Sequence, residues 1–460
     1  MGAGPVSRLR GLMRGDGLGA RALRSSMLTV LGYGGSQALR LASNLILTRL
    51  LFPEAFGVMS LVWVFLQGLS NFSDMGVGQS ILQSKRGEDR DFLDTAWTVQ
   101  VLRGLILWIA TWAMAAPVAD FYNAPELREL LPVVGLTLFL MGLLPTKRDL
   151  ANRKLVLGRL TAIDLAAQAL GLTVGVLVAW ITGSVWALVA NAVASNLIAL
   201  VLYMFLLPGA TNRPRWEPRA AHELIHFGKW IFLSTAAGFL LSQGDKIVLG
   251  KYLSLGALGV YNIGYFLASF PLLLGAMVVR RIMIPVYRER PPAGNAANFA
   301  ALHRMRMMLS AGLFAMLFGF AVLGVWLVLI LYDPRYALAG GVVVLLALMQ
   351  IPQLIVITYD TAALAAGDSR GFFVLAATRA GLMMAGLLIG ASRMGLIGAL
   401  LGQGAAMVLA YPVVVWLARR HGAWDARHDA LFWVAGLGIA ALALWLNQDA
   451  ITSLSALNLP

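Results

Sequence analysis

Apolar runs of roughly 20 residues recur along this chain, and each is long enough to cross the ~30 Å hydrocarbon core of a bilayer as an α-helix. Only helices and closed barrels satisfy every backbone amide in lipid. The alternating ten-residue segments typical of a membrane barrel are absent. Hydrophobic residues make up 59% of the chain and charged residues 13%, against about 45–50% and 25% in soluble domains. The sequence therefore predicts an all-α polytopic membrane protein.

Thirteen membrane spans are predicted from the apolar runs. They are 28–50, 55–82, 93–117, 130–147, 160–182, 184–208, 227–250, 256–280, 306–332, 339–363, 371–391, 395–418 and 430–447. The expected organisation is two six-helix lobes and an extra C-terminal helix. The predicted segments are a basic arm at 1–27, the first lobe at 28–208, a linker at 209–226, the second lobe at 227–418 and an extension at 419–460.

The basic residues are unevenly divided between the two sides of the membrane. With the N-terminus inside, 27 of the 36 Lys and Arg residues fall in inner segments and five fall in outer ends and loops. Because Lys and Arg favour the cytoplasmic side, the N-terminus is predicted to be cytoplasmic. This asymmetry explains most of the net charge of +14 without a nucleic-acid partner. The absence of cysteine excludes disulfides and thiolate metal sites.

A short segment recurs in the two predicted lobes. Residues 49–58 read RLLFPEAFGV and residues 251–260 read KYLSLGALGV, an offset of 202 residues. Six predicted spans separate the copies, so both enter the membrane in the same direction. This parallel repeat is typical of transporters whose substrate site lies between two related lobes. Glycine pairs at four-residue spacing, including Gly171/Gly175, Gly386/Gly390 and Gly398/Gly402, are expected to pack helices closely.

Polar and charged side chains interrupt several spans. Arg40 and Asn44 share one face of the first span with Ser36, and Arg103 and Arg379 lie well inside other spans. Charge at membrane depth is costly and by default marks a pathway or a site. Helix-to-helix hydrogen bonding is the alternative explanation. For the adjacent Asp245 and Lys246 both roles stay open, and the ~100° between neighbouring side chains on a helix predicts that they do not pair.

Residues 222–226 read HELIH and match the H-E-x-x-H pattern of zinc proteases. The pattern places His222 and His226 on one helix face, with Glu223 as a general base. A third ligand is not evident, so a turn of interfacial helix is the favoured interpretation. The chain also lacks a Gly-rich phosphate-binding loop of the Walker type.

Two motifs give the chain a family resemblance. SDMGVGQSILQ at 73–83 and DKIVLGKYLSLGALGVYNIGY at 245–265, together with two six-span lobes, resemble the Wzx-type oligosaccharide flippases of the MOP superfamily, which are MATE-like transporters. The resemblance implies translocation of an undecaprenyl-pyrophosphate-linked oligosaccharide across the bacterial inner membrane. Alternating access driven by an ion gradient is also implied, with exopolysaccharide, capsule or O-antigen (lipopolysaccharide) as the product.

The polar residues of the spans suit the parts of such a substrate. Because arginine binds phosphate oxygens bidentately, we expect Arg40, Arg103 and Arg379 to bind the pyrophosphate, with Lys246 near the outer exit. Asn44 lies in the same cleft-lining stripe. Tyr261 and Tyr265 are expected to stack on sugar rings, and Asp74, Asp245 and Asp360 are candidates for coupling to H⁺ or Na⁺. No metal, cofactor or catalytic residue is predicted. The expected partners are membrane lipids, the lipid-linked oligosaccharide and polysaccharide polymerase or export machinery.

Other functions stay open at this stage. Within the same superfamily, a peptidoglycan-precursor flippase and a drug/cation antiporter share the predicted architecture, although antiporters tend to carry an acidic residue in the first span. A membrane enzyme, either a polymerase or ligase or an HExxH zinc protease, is a more remote alternative. The short outer loops, such as residues 51–54 and 251–255, disfavour a polymerase.

Overall fold

The computed structural model describes residues 18–228, 232–293 and 295–457, and every regular element in these ranges is a helix. The first half contains α1 (Leu18–Leu50), α2 (Pro53–Phe72), α3 (Val77–Gln83), α4 (Arg90–Tyr122), α5 (Leu127–Gly142), α6 (Lys147–Arg153), α7 (Leu157–Thr182), α8 (Trp186–Leu206) and α9 (Pro218–Gly228). The second half contains α10 (Phe232–Tyr252), α11 (Leu255–Ala268), α12 (Phe270–Glu289), α13 (Ala296–Leu331), α14 (Ala339–Met349), α15 (Ile351–Val356), α16 (Asp360–Ala365), α17 (Ser369–Arg420), α18 (Ala426–Leu446) and α19 (Gln448–Thr452).

Nine helical segments of the described residues are long and apolar enough to cross a membrane, with α14, α15 and α16 counted together as one, or ten if the bent pair of α5 and α6 forms one span. The all-helical membrane fold predicted from the apolar runs is therefore confirmed. One of the nine is α17, whose 52 residues include non-helical backbone at Met394 and Gly395. The break falls between the predicted spans 371–391 and 395–418. The predicted thirteenth span at 430–447 corresponds to α18, which is another of the nine.

Three predicted spans are broken within their length. The span 55–82 stops at Phe72 and resumes at Val77, because the turn between them contains Gly76 at φ +62°, a conformation that glycine adopts without strain. The span 256–280 breaks at Ser269, between α11 and α12. The span 339–363 breaks at Gln350 and again at Ile357–Tyr359. Breaks in membrane helices are tolerated where neighbouring groups satisfy the freed backbone.

The chain forms two compact units. Unit 1 contains the residues up to Leu51 and Phe65–Leu233, and unit 2 contains Phe52–Val64 and the residues from Ser234 onward. Helix α2 therefore belongs to unit 2 in its first part and to unit 1 in its second. In unit 1, α7 packs on α8, where Gly171 meets Ser195 and Gly175 meets Asn191.

Close glycine packing recurs in unit 2. The two parts of α17 approach each other through Gly386 against Gly402 and Gly390 against Gly398, backbone to backbone. The glycine spacing predicts this contact correctly, since only a residue without Cβ lets two helix backbones approach so closely.

The two copies of the repeated segment also meet inside unit 2. A Cβ on Gly57 would overlap the carbonyl oxygen of Leu255, and a Cβ on Gly259 would overlap the carbonyl oxygen of Pro53. The offset of 202 residues relates Gly57 to Gly259 and Pro53 to Leu255. The copies thus contact each other through equivalent positions, as the repeat assignment would require of a related pair.

Candidate functional site

Four of the predicted site residues of unit 2 form one cluster on α10 and α11. The Tyr261 hydroxyl donates to Asp245 Oδ2 over 2.5 Å, and Lys246 Nζ lies 3.7 Å from the same oxygen. Lys246 Nζ also lies 4.0 Å from the centroid of the Tyr265 ring. Asp245 is 2% exposed and Lys246 is 9% exposed. Acid, base and both aromatic rings are therefore engaged with one another.

This geometry corrects the expectation that Asp245 and Lys246 do not pair. Neighbouring side chains leave a helix about 100° apart, but the flexible four-carbon stem of lysine allows Nζ to lie 3.7 Å from the carboxylate. Within the described residues, Asp245 Oδ1 is buried and has no hydrogen-bond partner. Tyr261 is fully buried, so a sugar could reach it only in another conformation of these helices.

A second pair from the prediction lies on α16 and α17 of unit 2. Arg379 Nη1 and Asp360 Oδ2 are 2.6 Å apart. The second terminal atom of each group, Arg379 Nη2 and Asp360 Oδ1, is buried and has no hydrogen-bond partner in the described residues. The pair thus holds both an unused donor and an unused acceptor. Its charges balance, which leaves less electrostatic attraction for an external phosphate than an unpaired arginine would have.

Arg103 of unit 1 stabilises the break between α2 and α3. Its Nη2 donates to the Ser70 carbonyl over 2.7 Å, and its Nε donates to Ser73 Oγ over 3.0 Å. In the same turn, Asp74 Oδ1 accepts a hydrogen bond from the Gly76 amide at 2.9 Å. Both of these Arg103 hydrogen bonds go to neutral oxygens. Asp74 is exposed and Arg103 is half-buried.

The predicted stripe on α1 is more open than the unit 2 pairs. Arg40 is exposed and Asn44 is half-buried. The Asn44 carbonyl accepts from Thr48 Oγ1 at 2.7 Å. Ser36, on the same face, donates through its hydroxyl to Gln168 Oε1 of α7 at 2.9 Å. Part of the stripe therefore joins helices by hydrogen bonds, whereas Arg40 presents its side chain at the surface of unit 1.

A buried polar network that the sequence analysis did not single out lies at one end of unit 2, and we call it the Arg306 network. Arg306 of α13 is 1% exposed. Its Nη2 donates to the Tyr287 hydroxyl over 2.9 Å and its Nε to Thr358 Oγ1 over 3.0 Å. Its Nη1 lies 3.4 Å from Asp425 Oδ2. Asp425 Oδ2 is also hydrogen-bonded to His303 at 2.5 Å.

The same network continues into α18. Asp429 accepts hydrogen bonds from the hydroxyls of Tyr359 and Tyr411, each at 2.7 Å. His428 is fully buried and lies between Ser310 Oγ at 2.8 Å and Asp429 Oδ1 at 2.9 Å. Together with Arg306, these bonds tie the first turn of α18 to α13 and to the turn between α15 and α16.

The glutamate and the leucine of the HELIH segment make contacts within unit 1. Glu223 accepts a hydrogen bond from Ser84 Oγ at 2.9 Å, and Leu224 packs into a small core with Phe92 and Ile81. In the part of the chain that the structure describes, no group of three His, Asp or Glu side chains is placed to hold a metal. His226 lies outside the residues whose side chains are described.

The comparison with known families decides what kind of protein this fold belongs to. The sequence profile of the polysaccharide biosynthesis protein family matches residues 46–340, which is more than half of the chain. The chain belongs to this family. The match includes Arg103 and the Asp245 cluster, whereas Arg40, Asp360, Arg379 and the α18 part of the Arg306 network lie outside it.

Two curated relatives show what other members do. The chain is 24% identical over 331 residues to the succinoglycan biosynthesis transport protein ExoT of Rhizobium meliloti (strain 1021), covering 70% of this chain and 64% of ExoT. It is 23% identical over 271 residues to the lipopolysaccharide biosynthesis protein WzxC of Escherichia coli (strain K12), covering 58% of this chain and 53% of WzxC. The chain therefore matches between half and two thirds of the length of these relatives.

Solved structures that resemble this chain show its fold. The lipid II flippase MurJ in its inward closed conformation superposes with a TM-score of 0.66 at 12% identity, covering 93% of this chain and all of that chain. A multidrug resistance MATE transporter of the MOP superfamily, in its inward-facing conformation, gives a TM-score of 0.60 at 16% identity, with 84% and 95% covered. The MATE-like fold predicted from the motifs is confirmed, and the chain is a multi-pass membrane protein.

Proposed function

We propose that this protein translocates an undecaprenyl-pyrophosphate-linked oligosaccharide across the bacterial inner membrane by alternating access. Relatives named for succinoglycan, lipopolysaccharide and teichuronic acid biosynthesis support a polysaccharide repeat unit as the cargo. The N-terminus faces the cytoplasm, in accord with the distribution of Lys and Arg. The sugar and the pyrophosphate occupy a polar path, and the lipid tail stays in the bilayer.

The observation that carries this proposal is the presence of two basic side chains at membrane depth in unit 1, the exposed Arg40 and the half-buried Arg103. Arg40 is exposed about twelve residues into its predicted span, which corresponds to ~18 Å of helix. A guanidinium facing lipid at that depth is costly, so its surroundings must be polar or anionic. Arg103 lies at similar depth and donates its two hydrogen bonds described above to neutral oxygens, with Asp74 as the nearby carboxylate. Two arginines suit a pyrophosphate, which carries negative charge and several acceptor oxygens.

The unit 2 residues take a different part in the proposal. Asp245 balances Lys246, and Asp360 balances Arg379, so neither base is the first contact for the pyrophosphate. Both carboxylates have a buried oxygen without a partner among the described residues. We assign Asp245 and Asp360 to ion coupling, with H⁺ or Na⁺ as the driving ion, and Lys246 and Arg379 to the balance of charge when the coupling ion leaves.

The test is export of surface polysaccharide in a deletion strain complemented with variants of matched membrane level. Arg40→Gln and Arg103→Gln are each expected to reduce export by about tenfold or more, since a hydrogen bond to a charged group contributes about 1.5–3 kcal/mol. Arg393→Gln, which removes an exposed arginine from the turn inside α17, is the matched control and should leave export unchanged.

The same strains separate the proposal from its rivals. Loss of the protein should cause the lipid-linked oligosaccharide to accumulate on the cytoplasmic side. Accumulation of a peptidoglycan precursor instead would identify that precursor as the cargo, and sensitivity to cationic drugs would identify an antiporter. Unchanged export in a deletion strain without a second flippase would disprove the proposal.

A further inference from the structure

The segment between α8 and α9 is held against unit 1 rather than spanning open space. Residues 211–217, which we call the strap, read TNRPRWE. The Arg215 amide donates to Thr98 Oγ1 over 2.9 Å, and the Glu217 amide donates to Thr95 Oγ1 over 3.1 Å. The Arg213 amide donates to Asp94 Oδ1 over 3.2 Å. Three alternate backbone amides of the strap are therefore fixed along one side of α4.

Side chains strengthen this attachment from both directions. Asn212 Nδ2 donates to Asp94 Oδ1 over 3.0 Å, and Asn212 Oδ1 accepts from the Thr146 amide at 2.9 Å. Glu217 pairs with Arg86 at 2.7 Å. The attachment uses backbone amides of the strap and the side chains of Asn212 and Glu217.

Beside these anchors, the same stretch of chain carries an exposed aromatic ring and exposed arginines. Trp216 is 55% exposed, and Arg213, Arg215 and Arg219 are exposed around it. Arg215 pairs with Asp91 at 2.7 Å. Within the described residues, Arg213 and Arg219 make no ion pair of 4.0 Å or less. We call Arg213, Trp216 and Arg219 the strap ridge, which has two unneutralised guanidinium groups three residues on either side of a tryptophan.

The height of the strap on α4 places the ridge at the membrane surface. Helix α4 has 33 residues, about 50 Å at 1.5 Å per residue, whereas about 20 residues cross the hydrocarbon. Thr95 and Thr98 lie in the first three turns of α4, so the strap is alongside the end of α4 where the predicted span 93–117 begins. Tryptophan is enriched at this level of a bilayer, and arginine matches the geometry of phosphate oxygens.

We infer that the strap ridge binds the phosphodiester headgroups of anionic phospholipids in the leaflet that the Lys/Arg distribution predicts to be cytoplasmic. Charge complementarity favours this occupant, because both free guanidinium groups are cationic and the nearby carboxylates of Glu217 and Asp91 already have arginine partners. The apolar face of α9 does not contact the lipid, because Ala220 and Leu224 on that face are buried in unit 1. The fixed strap presents the ridge without an ordering step on binding, which favours affinity.

Lipid titration of the purified full-length protein tests the inference. Phosphatidylglycerol or phosphatidylcholine is added to the protein in detergent, and the rise in thermal unfolding midpoint gives the half-saturating lipid concentration. For Arg213→Gln/Arg219→Gln, we expect that concentration for phosphatidylglycerol to rise about fivefold per arginine, or about thirtyfold in all. Arg393→Gln/Arg427→Gln removes the same charge from exposed sites elsewhere and should titrate like the wild type.

Further measurements in the same lipid titration test the inference. High salt should weaken the wild-type response because it screens exposed charges, and Trp216→Ala should weaken the response to both lipids. An unchanged titration for the double ridge variant, an equal response to phosphatidylcholine, or an equal loss in the control pair would overturn the inference. Competition by inorganic pyrophosphate at equal phosphate concentration would instead assign the ridge to the transported headgroup.

Two choices keep the test independent of other outcomes. If the double ridge variant does not purify, the single variants Arg213→Gln and Arg219→Gln replace it, each with an expected fivefold effect. The measurement requires no transport, so a failure of the proposed cargo leaves it intact, and a negative result here leaves the proposed cargo untouched.

Discussion

Unit 1 and unit 2 each join several helices through charged groups, but with opposite degrees of burial. In unit 1 the strap region uses exposed or half-buried pairs, such as Arg86 with Glu217 and Arg215 with Asp91. In unit 2 the Arg306 network places its guanidinium out of contact with solvent. Exposed ion pairs typically contribute about 0–1 kcal/mol, whereas removing one partner of a buried pair costs about 3–5 kcal/mol.

The difference shows what each arrangement can do. Exposed ion pairs exchange with water at little cost. The strap can therefore stay in place while Arg213 and Arg219 bind a ligand. The buried Arg306 network has nearly every polar atom engaged, and it fixes the first turn of α18 to the rest of unit 2. The first arrangement suits a surface that meets ligands, and the second suits a rigid joint.

The strongest test of this contrast removes the central guanidinium of unit 2. Arg306→Met keeps most of the side-chain volume but removes the charge partner of Asp425 and the hydrogen bonds that the guanidinium donates to Tyr287 and Thr358. We expect a loss of about 3 kcal/mol in the free energy of unfolding, measured by detergent-induced unfolding of the purified protein. Arg304→Met, at an exposed position two residues earlier, should change that free energy little. Equal effects of the two substitutions would contradict the contrast.

The pH dependence of the same network gives a second test. Burial raises the pKa of the Asp425 carboxyl, but its hydrogen bonds with His303 and the His428 amide and the charge of Arg306 leave that pKa below its ordinary value. A carboxyl whose pKa is lowered on folding stabilises the fold above its unfolded pKa, about 3.9, and that contribution is lost as the pH falls through the folded pKa.

Asp425→Asn isolates this contribution because asparagine keeps the helix N-cap and removes only the charge. The variant should be less stable than the wild type at pH 5–7, by a constant difference in thermal unfolding midpoint. The difference should begin to shrink as the pH falls below about 4, and it should vanish once the pH is below the folded pKa of Asp425. A difference that does not shrink below about pH 4 would show that the loss comes from packing rather than from charge.

In unit 1, the half-buried Asn212 should matter more than any exposed ion pair. Asn212→Ala removes hydrogen bonds to Asp94 and Thr146 and leaves a buried carboxylate with fewer donors. We expect a loss of about 1–2 kcal/mol in the free energy of unfolding, together with weaker binding of phosphatidylglycerol. The neighbouring Thr211→Ala truncates an exposed side chain and serves as the control. A wild-type titration for Asn212→Ala would show that the strap needs no side-chain anchor.

The smallest effect is expected for the half-buried pair of Arg86 with Glu217 at the end of the strap. Arg86→Gln and Glu217→Gln should each change the free energy of unfolding by less than about 1 kcal/mol. A double-mutant cycle of the two gives the coupling energy directly. The coupling should decrease in high salt, since screening acts on exposed charges. A coupling as large as the Arg306 effect would remove the distinction between the two units.

Most of the helical framework could be predicted because its signals are local. Runs of about 20 apolar residues mark spans wherever they occur, and the division of α17 near Met394 follows from two apolar runs with a polar break. The close approach at Gly390 and Gly398 follows from a four-residue spacing on one helix. Each of these inferences needs only residues that are near one another in sequence.

The candidate site could be predicted less well because its partners are distant in sequence. Arg306 falls at the edge of a predicted span, where a basic residue is ordinarily expected to reach the headgroups, and nothing nearby in sequence indicates that Asp425 meets it. Helix geometry alone predicts that the side chains of Asp245 and Lys246 do not pair. That geometry fixes the Cα–Cβ direction of each residue but not the path of a flexible lysine. The strap looked like a linker because its anchors, Thr95 and Asp94, lie more than a hundred residues earlier.

The contact between Gly57 and Gly259 has a consequence for how the two copies of the repeated segment change. Each glycine meets a carbonyl whose position in the repeat matches the one its counterpart meets, which is the isologous relation found across the twofold axis of a homodimer. One chain thus contains an interface of the kind that two identical subunits would share. A larger side chain in either copy meets the backbone of the other, so the two segments constrain each other's evolution even though 202 residues separate them.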